Sequence, residues 1–142
     1  MRARLAVAAG SLGLAVAAGS LGLAVAACAT HRPSMVRPPE VHPAPGFVVE
    51  GIASWYGPGY DGKRTSNGEV YDQDALTAAH YDWAFGTQVR VTLLSTGRSV
   101  VVRINDRFPP WKGRLIDLSR GAARAIGLIG PGTARVRVEV VQ

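Results

Sequence analysis

The sequence predicts a small, mainly β barrel carrying one short helix, and three observations lead to it. Of 142 residues, 17 are Gly and 9 are Pro, with 47% hydrophobic and 18% charged. Such a chain holds too much apolar material for wholesale disorder and too many turn-formers for a long helical bundle. Four runs rich in β-branched residues follow one another, at Phe47 to Tyr56, Gln88 to Leu94, Ser99 to Ile104 and Thr133 to Val141. Only one stretch has helical spacing, Ser119 to Ile126, where Ser119 is the cap, Ala122, Ala123 and Ile126 form a narrow apolar face, and Gly127 ends the helix.

Taken from the N-terminus, residues 1–27 have the form of an export signal. Arg2 and Arg4 give a positive start, and Leu5 to Ala27 contains no charge. The nine-residue unit LAVAAGSLG occurs at 5–13 and again at 14–22, a duplicated signal core rather than a solenoid, whose repeats are longer and carry a polar face. The stretch is also long enough to span a bilayer as a retained anchor. Cys28, the sole cysteine, stands at its end after Leu23-Ala-Val-Ala-Ala and resembles the acylated cysteine of a bacterial lipobox. Acyl chains on Cys28 would anchor the chain, each buried methylene contributing about 0.8 kcal/mol. In the lipoprotein sorting pattern that this segment resembles, Ala29 in place of Asp implies the outer membrane, with the domain expected to face the periplasm.

Residues 28–46 carry five prolines, at 33, 38, 39, 43 and 45, and are expected to be an extended tether in which His31 and His42 are solvated. Residues 47–142 are the domain. The formal charge of +6 falls to +4 once Arg2 and Arg4 are removed with the signal. That mild bias suits an anionic polymer or surface but lacks the Lys/Arg stripe that nucleic-acid binding needs. One cysteine excludes a disulfide framework, no His/Cys cluster offers a metal site, and no cofactor is expected.

Three segments hold polar residues that a barrel core does not require. They are Gly51-Ile-Ala-Ser-Trp-Tyr-Gly57, then Thr65-Ser-Asn-Gly-Glu-Val-Tyr-Asp72 with Leu76-Thr-Ala-Ala-His80, and Val102-Arg-Ile-Asn-Asp-Arg107 leading to Leu115-Ile-Asp-Leu-Ser119. Residue by residue, each leaves alternatives. Asp106 ends a strand between Arg103 and Arg107, where it faces a groove or else pairs with Arg107 or caps the next turn; an arginine beside it would lower its pKa. Glu69 follows a turn dipeptide and by itself reads as an exposed loop glutamate. Asp72 either shares that groove or hydrogen-bonds backbone amides. Asp117 is expected at the helix start, with its carboxylate on free amides. His80 is a satisfied core histidine or a polar member of a site. Trp55 and Tyr56 are core aromatics or sugar-stacking rings.

In order and spacing these blocks resemble the rare lipoprotein A (RlpA) family of septal-ring lytic transglycosylases. The family pattern A-S-W-Y-G, S/T-x-G-E-x-Y/F-D, L-T-A-A-H, V-x-V-N-D-R and I-D-L-S is matched from Ala53 to Ser119, and Gly132 to Val138 resembles its last strand. The resemblance implies a six-stranded double-psi β-barrel and an endolytic enzyme. Such an enzyme cleaves peptidoglycan glycan between N-acetylmuramic acid and N-acetylglucosamine and leaves 1,6-anhydro ends. It also implies an active site of Asp106, Glu69, Asp72 and His80, with Asp106 as acid/base or with the roles of Asp106 and Glu69 exchanged, and with Trp55, Tyr56 and Arg107 binding substrate. Barrels of this kind also occur in expansins, so a non-catalytic glycan-binding or wall-loosening protein is the alternative. Two departures stand out. Phe108 replaces the usual Gly after N-D-R, and the family's C-terminal SPOR module is expected to be absent.

Overall fold

A computed structural model describes residues 39–111 and 113–142. The export signal, Cys28 and His31 lie outside the described residues. Among the described residues, six strands and one helix follow in the order β1 (Val48–Trp55), β2 (Thr77–Ala79), β3 (Gln88–Leu93), β4 (Ser99–Asp106), β5 (Arg114–Leu118), α1 (Arg120–Ile126) and β6 (Ala134–Val140), with a 3-10 turn at Pro58–Tyr60. The strands close into a barrel in the order β1-β5-β2-β4-β3-β6, which bears out the expected six-stranded, mainly β architecture with one helix.

Alternation explains the long strands. Val89, Val91 and Leu93 of β3, Val102 and Ile104 of β4, and Val136, Val138 and Val140 of β6 point inward and are buried, while Arg90, Val101, Arg135 and Arg137 are exposed. Ile116 and Leu118 of β5 and Ala53 of β1 close the same core. The helix supplies Ala122, Ala123 and Ile126 as its plug. Ser119 caps it by accepting a hydrogen bond from the Ala122 amide at 3.2 Å, and Gly127 ends it in the left-handed region at φ 81°.

Two strands have no alternation to reveal them. β2 is Thr-Ala-Ala, buried at all three positions, and β5 is Arg-Leu-Ile-Asp-Leu, whose last three residues are all buried. They hold the barrel's parallel pairings, β2 on β4 and β5 on β1, while every other pairing is antiparallel. That arrangement brings the C-terminal ends of β1, β4 and β5 together. Glu40 and Val41, expected within the tether, lie against the barrel: Val41 donates to the Asp82 carbonyl and accepts from the Ala84 amide, both at 2.8 Å. His42 is exposed.

Candidate active site

The register places four residues side by side across four adjacent strands. Asp106 of β4 pairs with Ala79 of β2, Ala79 pairs with Asp117 of β5, and Asp117 pairs with Ser54 of β1. The methyl group of Ala79 therefore separates two carboxylates, and above this row opens a groove of about 470 Å³. Asp106, Ala79 and Asp117 line it together with Trp55, Tyr56, Tyr60, Arg107, Phe108 and Pro109.

Asp106 is oriented through one oxygen. Its Oδ1 accepts from the Ser66 amide (2.8 Å), the Ser66 hydroxyl (2.7 Å) and the Arg107 amide (2.8 Å), and Oδ2 has no protein partner among the described residues. The guanidinium of Arg107 does not pair with this carboxylate. Its Nη1 donates to the carbonyls of His80 and Asp106, its Nη2 pairs with Glu40 Oε1 at 3.2 Å, and its plane lies 3.8 Å from the Phe85 ring centre.

Glu69 is bound on both oxygens. Arg103 grips it with two parallel bonds, Nη1 to Oε1 at 2.7 Å and Nη2 to Oε2 at 3.0 Å, and the amides of Asn67 and Asn105 donate at 2.9 and 3.1 Å. These donors, Arg103 first, pull its carboxyl from the usual range down to about 2. Glu69 is not among the residues lining the groove, and neither is Asp72. Asp72 is exposed and accepts from the Asp74 amide at 2.9 Å, closing a local turn.

His80 is fully buried, with its ring stacked between Tyr81 and Trp83 at centroid distances of 4.5 and 4.1 Å. Nδ1 accepts from the Trp83 amide at 3.2 Å and more weakly from Asp82. Burial, reinforced by the positive charge of Arg107, lowers its pKa to about 4, so the ring is neutral at physiological pH. It touches Asp82, at 3.2 Å, rather than Asp106 or Glu69. What His80 contributes to the site is backbone: its amide donates to the Asp106 carbonyl at 3.1 Å and its carbonyl receives Arg107.

The ring of Tyr56 lies on Tyr71, 4.5 Å away and inclined by 25°, so that face is closed to a sugar. Its hydroxyl is buried; burial first and the Asp106 charge second raise its pKa far above the usual phenol value. The neighbouring Thr77 hydroxyl pulls weakly the other way, and neither oxygen makes a hydrogen bond of good geometry. Trp55 folds back against Gly57, where a Cβ would stand 2.8 Å from its ring.

Asp117 corrects an expectation. It does not sit at the helix start with its carboxylate on free amides. It belongs to β5, where Oδ1 accepts a hydrogen bond from the Ser54 hydroxyl and Oδ2 pairs with Arg114 at 3.4 Å. Arg114 also donates to Ser54 at 3.0 Å, and its guanidinium lies 5.3 Å from the ring centre of Phe108. Ser54, Ser66, Tyr60 and Arg114 were not singled out by sequence reasoning. Their signal is the cross-strand register, which no local pattern carries. Among the described residues no three His, Cys, Asp or Glu side chains gather as metal ligands.

The lytic transglycolase family profile matches residues 48–138, from the start of β1 into β6. The chain belongs to the lytic transglycolase family. Among its relatives are the "Probable endolytic peptidoglycan transglycosylase RlpA" of Synechocystis, 62% identical over 95 residues, and the "Endolytic peptidoglycan transglycosylase RlpA" of Campylobacter jejuni, 56% identical over 98 residues. These matches cover 67% and 69% of this chain but 30% and 36% of the relatives, so the chain spans about a third of the length of the curated relatives it matches. Among solved structures, an apo expansin of Clavibacter michiganensis aligns with a TM-score of 0.56 at 23% identity, covering 68% of this chain and 51% of the expansin. That likeness concerns the fold alone. The family is the one its motifs led us to expect, and the double-psi barrel expected with it agrees with the closed six-stranded barrel.

Proposed function

We propose that this lytic transglycolase domain cleaves peptidoglycan glycan strands endolytically between N-acetylmuramic acid and N-acetylglucosamine, leaving 1,6-anhydro ends, with Asp106 as acid and base. The observation that carries the assignment is the division of labour within one carboxyl group of a groove-lining residue: Oδ1 is fixed by Ser66 and Arg107, while Oδ2 has no partner among the described residues. A proton on Oδ2 passes to the glycosidic oxygen as the bond to the anomeric carbon breaks. The same oxygen then takes the proton of the sugar's 6-hydroxyl as that hydroxyl closes on the anomeric carbon. Because the nucleophile belongs to the substrate, no second carboxylate has to activate water.

Glu69 is a poor donor at neutral pH, since it is ionised and bound on both oxygens. We assign it to positioning: it ties the 65–69 loop to β4, and Ser66 of that loop orients Asp106. The neutral His80 ring is assigned to packing and its backbone to positioning. Trp55, Tyr56 and Arg107 form the groove walls that hold the glycan. Upstream, Cys28 is the acylated residue that anchors the chain to the outer membrane, with the barrel on the periplasmic side. Incorporation of labelled palmitate into the wild type and its loss in Cys28→Ser is the check; equal labelling of both would reject the anchor.

The enzymatic assignment is tested by incubating the chain with intact and peptide-stripped glycan and analysing the products by mass spectrometry. Release of 1,6-anhydro sugars is expected. Binding of glycan without any anhydro product would instead establish a non-catalytic, expansin-like role.

A further inference from the structure

A second cavity, of about 400 Å³, adjoins the groove and shares Arg107, Phe108 and Pro109 with it. Asp106 stands at their junction: it lines the groove, while Ser66, which donates to it twice, lines the second cavity. The walls of that cavity are the rings of Tyr81, Phe85 and Phe108 with Pro109 and Pro110. Its charges are Arg107 and Glu40, and they neutralise one another at 3.2 Å. Both terminal nitrogens of Arg107 are engaged by protein oxygens and its face lies on Phe85, so the guanidinium forms a wall instead of offering an anion site. Glu40 is kept in place because Val41 bridges to the 82–84 segment through two backbone bonds of 2.8 Å.

We propose that this cavity is a subsite for the neutral N-acetylated sugar on the leaving-group side of the scissile bond. An enzyme that cuts within a polymer binds sugars on both sides of the bond it breaks, and the two cavities flank the proposed acid. Aromatic and proline walls suit the C–H faces of a pyranose and the methyl of an acetamido group. A muramic residue would bring a lactyl carboxylate toward Glu40 with no free cation to receive it among the described residues that line the cavity, so the residue without that group, N-acetylglucosamine, is the better fit. The orientation rests on the transglycosylase reading; the chemistry of the cavity does not.

The test uses chitotetraose, a neutral oligomer of N-acetylglucosamine, titrated into the full chain in detergent, with glycan cleavage assayed in parallel. Phe85→Ala and Tyr81→Ala, each checked for cooperative melting, should weaken chitotetraose binding, by about ten-fold for the former. Binding to the wild type should change less than about two-fold between low salt and about 0.5 M salt, because the ligand is neutral and Arg107 is already paired. The proposal is overturned if the wild type does not bind chitotetraose, if both folded variants bind it unchanged, or if the affinity loss appears only with Tyr60→Ala in the groove. It is also overturned if a muramic-acid glycan binds there more tightly and in a salt-sensitive way. Phe85-dependent binding by a chain that cleaves no glycan removes the transglycosylase reading and leaves the subsite standing. Cleavage that both variants leave intact, with unchanged chitotetraose binding, removes the subsite alone.

Discussion

Glu69 and Asp106 are joined by the same short loop and yet stand in opposite chemical situations. Four donors saturate Glu69 across both oxygens although its side chain is 41% exposed. Asp106 receives three donors on one oxygen and, among the described residues, none on the other. Exposure therefore does not decide which carboxyl group is available for proton transfer; the distribution of donors over its two oxygens does. Both arrangements come from residues 65–69, where Asn67 donates to the Asn105 carbonyl at 3.3 Å, Ser66 reaches Asp106 and Glu69 reaches Arg103. One corner of the barrel fixes a charge, and in doing so it aims its neighbour.

The comparison breaks most decisively at Asp106. Asp106→Asn preserves size and can still accept from Ser66 and Arg107, but it cannot give up and recover a proton. Turnover should fall by about 100-fold or more while glycan binding is retained, read from anhydro-product release and a binding titration on the same preparation. If Asp106→Asn keeps near wild-type release while Glu69→Gln abolishes it, the two residues exchange roles.

His80 supplies the next largest effect, on stability. Its pKa falls from 6.5 in the unfolded chain to about 4 in the fold because the buried ring resists a charge. Between those values the unfolded chain binds the proton and the folded one does not, so stability is full above pH 6.5 and drains away as the pH falls toward 4. At pH 5 the loss should be about 2 kcal/mol relative to pH 8, and His80→Gln should remove this part of the slope in denaturant titrations. Because the ring meets Asp82 and not Asp106, no limb of the activity profile near pH 6.5 should disappear in that variant. Loss of such a limb would make His80 a partner of the acid after all.

Much of this fold was legible because its long strands alternate. β1, β3, β4, β6 and the capped helix were found within a residue or two of their observed ends, and Val89-Arg-Val91 and Val136-Arg-Val138 show why: one face is apolar and the other is charged. β2 and β5 escaped, since Thr77-Ala-Ala79 is buried at every position and Asp117 interrupts the apolar run of β5. The site divides the same way. Asp106 could be placed at a strand end from the pattern around it, whereas Asp117 looked like a helix cap because Ser119 and a helix follow. Only the pairing of β5 with β1 brings Ser54 beneath it, and the partner that makes its burial tolerable lies 63 residues away in sequence.

Glu69→Gln sharpens the comparison from the other side. The substitution removes the charge facing Arg103 but keeps a side chain that Asn67 and Asn105 can still hold in part. The loop should loosen without falling away, and since the Asp106 oxygen that transfers the proton is untouched, turnover should drop by only about three- to ten-fold. Arg103→Lys, which loses the two-pronged grip, should reproduce most of that loss, and combining it with Glu69→Gln should cost less than the sum of the two, because both cut the same contact. Full additivity in a double-mutant cycle would deny that the pair acts as one device.

The smallest effect is expected at Asp72, which the family resemblance grouped with the catalytic residues. Its carboxylate accepts the Asp74 amide two residues ahead, its carbonyl accepts from the Ala75 amide at 3.2 Å, and it stands outside the residues lining the groove. Asn closes the same type of turn with its side-chain oxygen, so Asp72→Asn leaves the backbone as it is. Turnover and melting temperature should both stay close to wild type, with turnover within about two-fold. Ala cannot close that turn, and Asp72→Ala should therefore cost on the order of 1 kcal/mol in stability while the activity per folded molecule is maintained. A fall of ten-fold or more in Asp72→Asn with unchanged melting would mean that the charge itself acts on the substrate, and that the glycan extends past Tyr60 onto the 61–74 loop rather than ending at the groove.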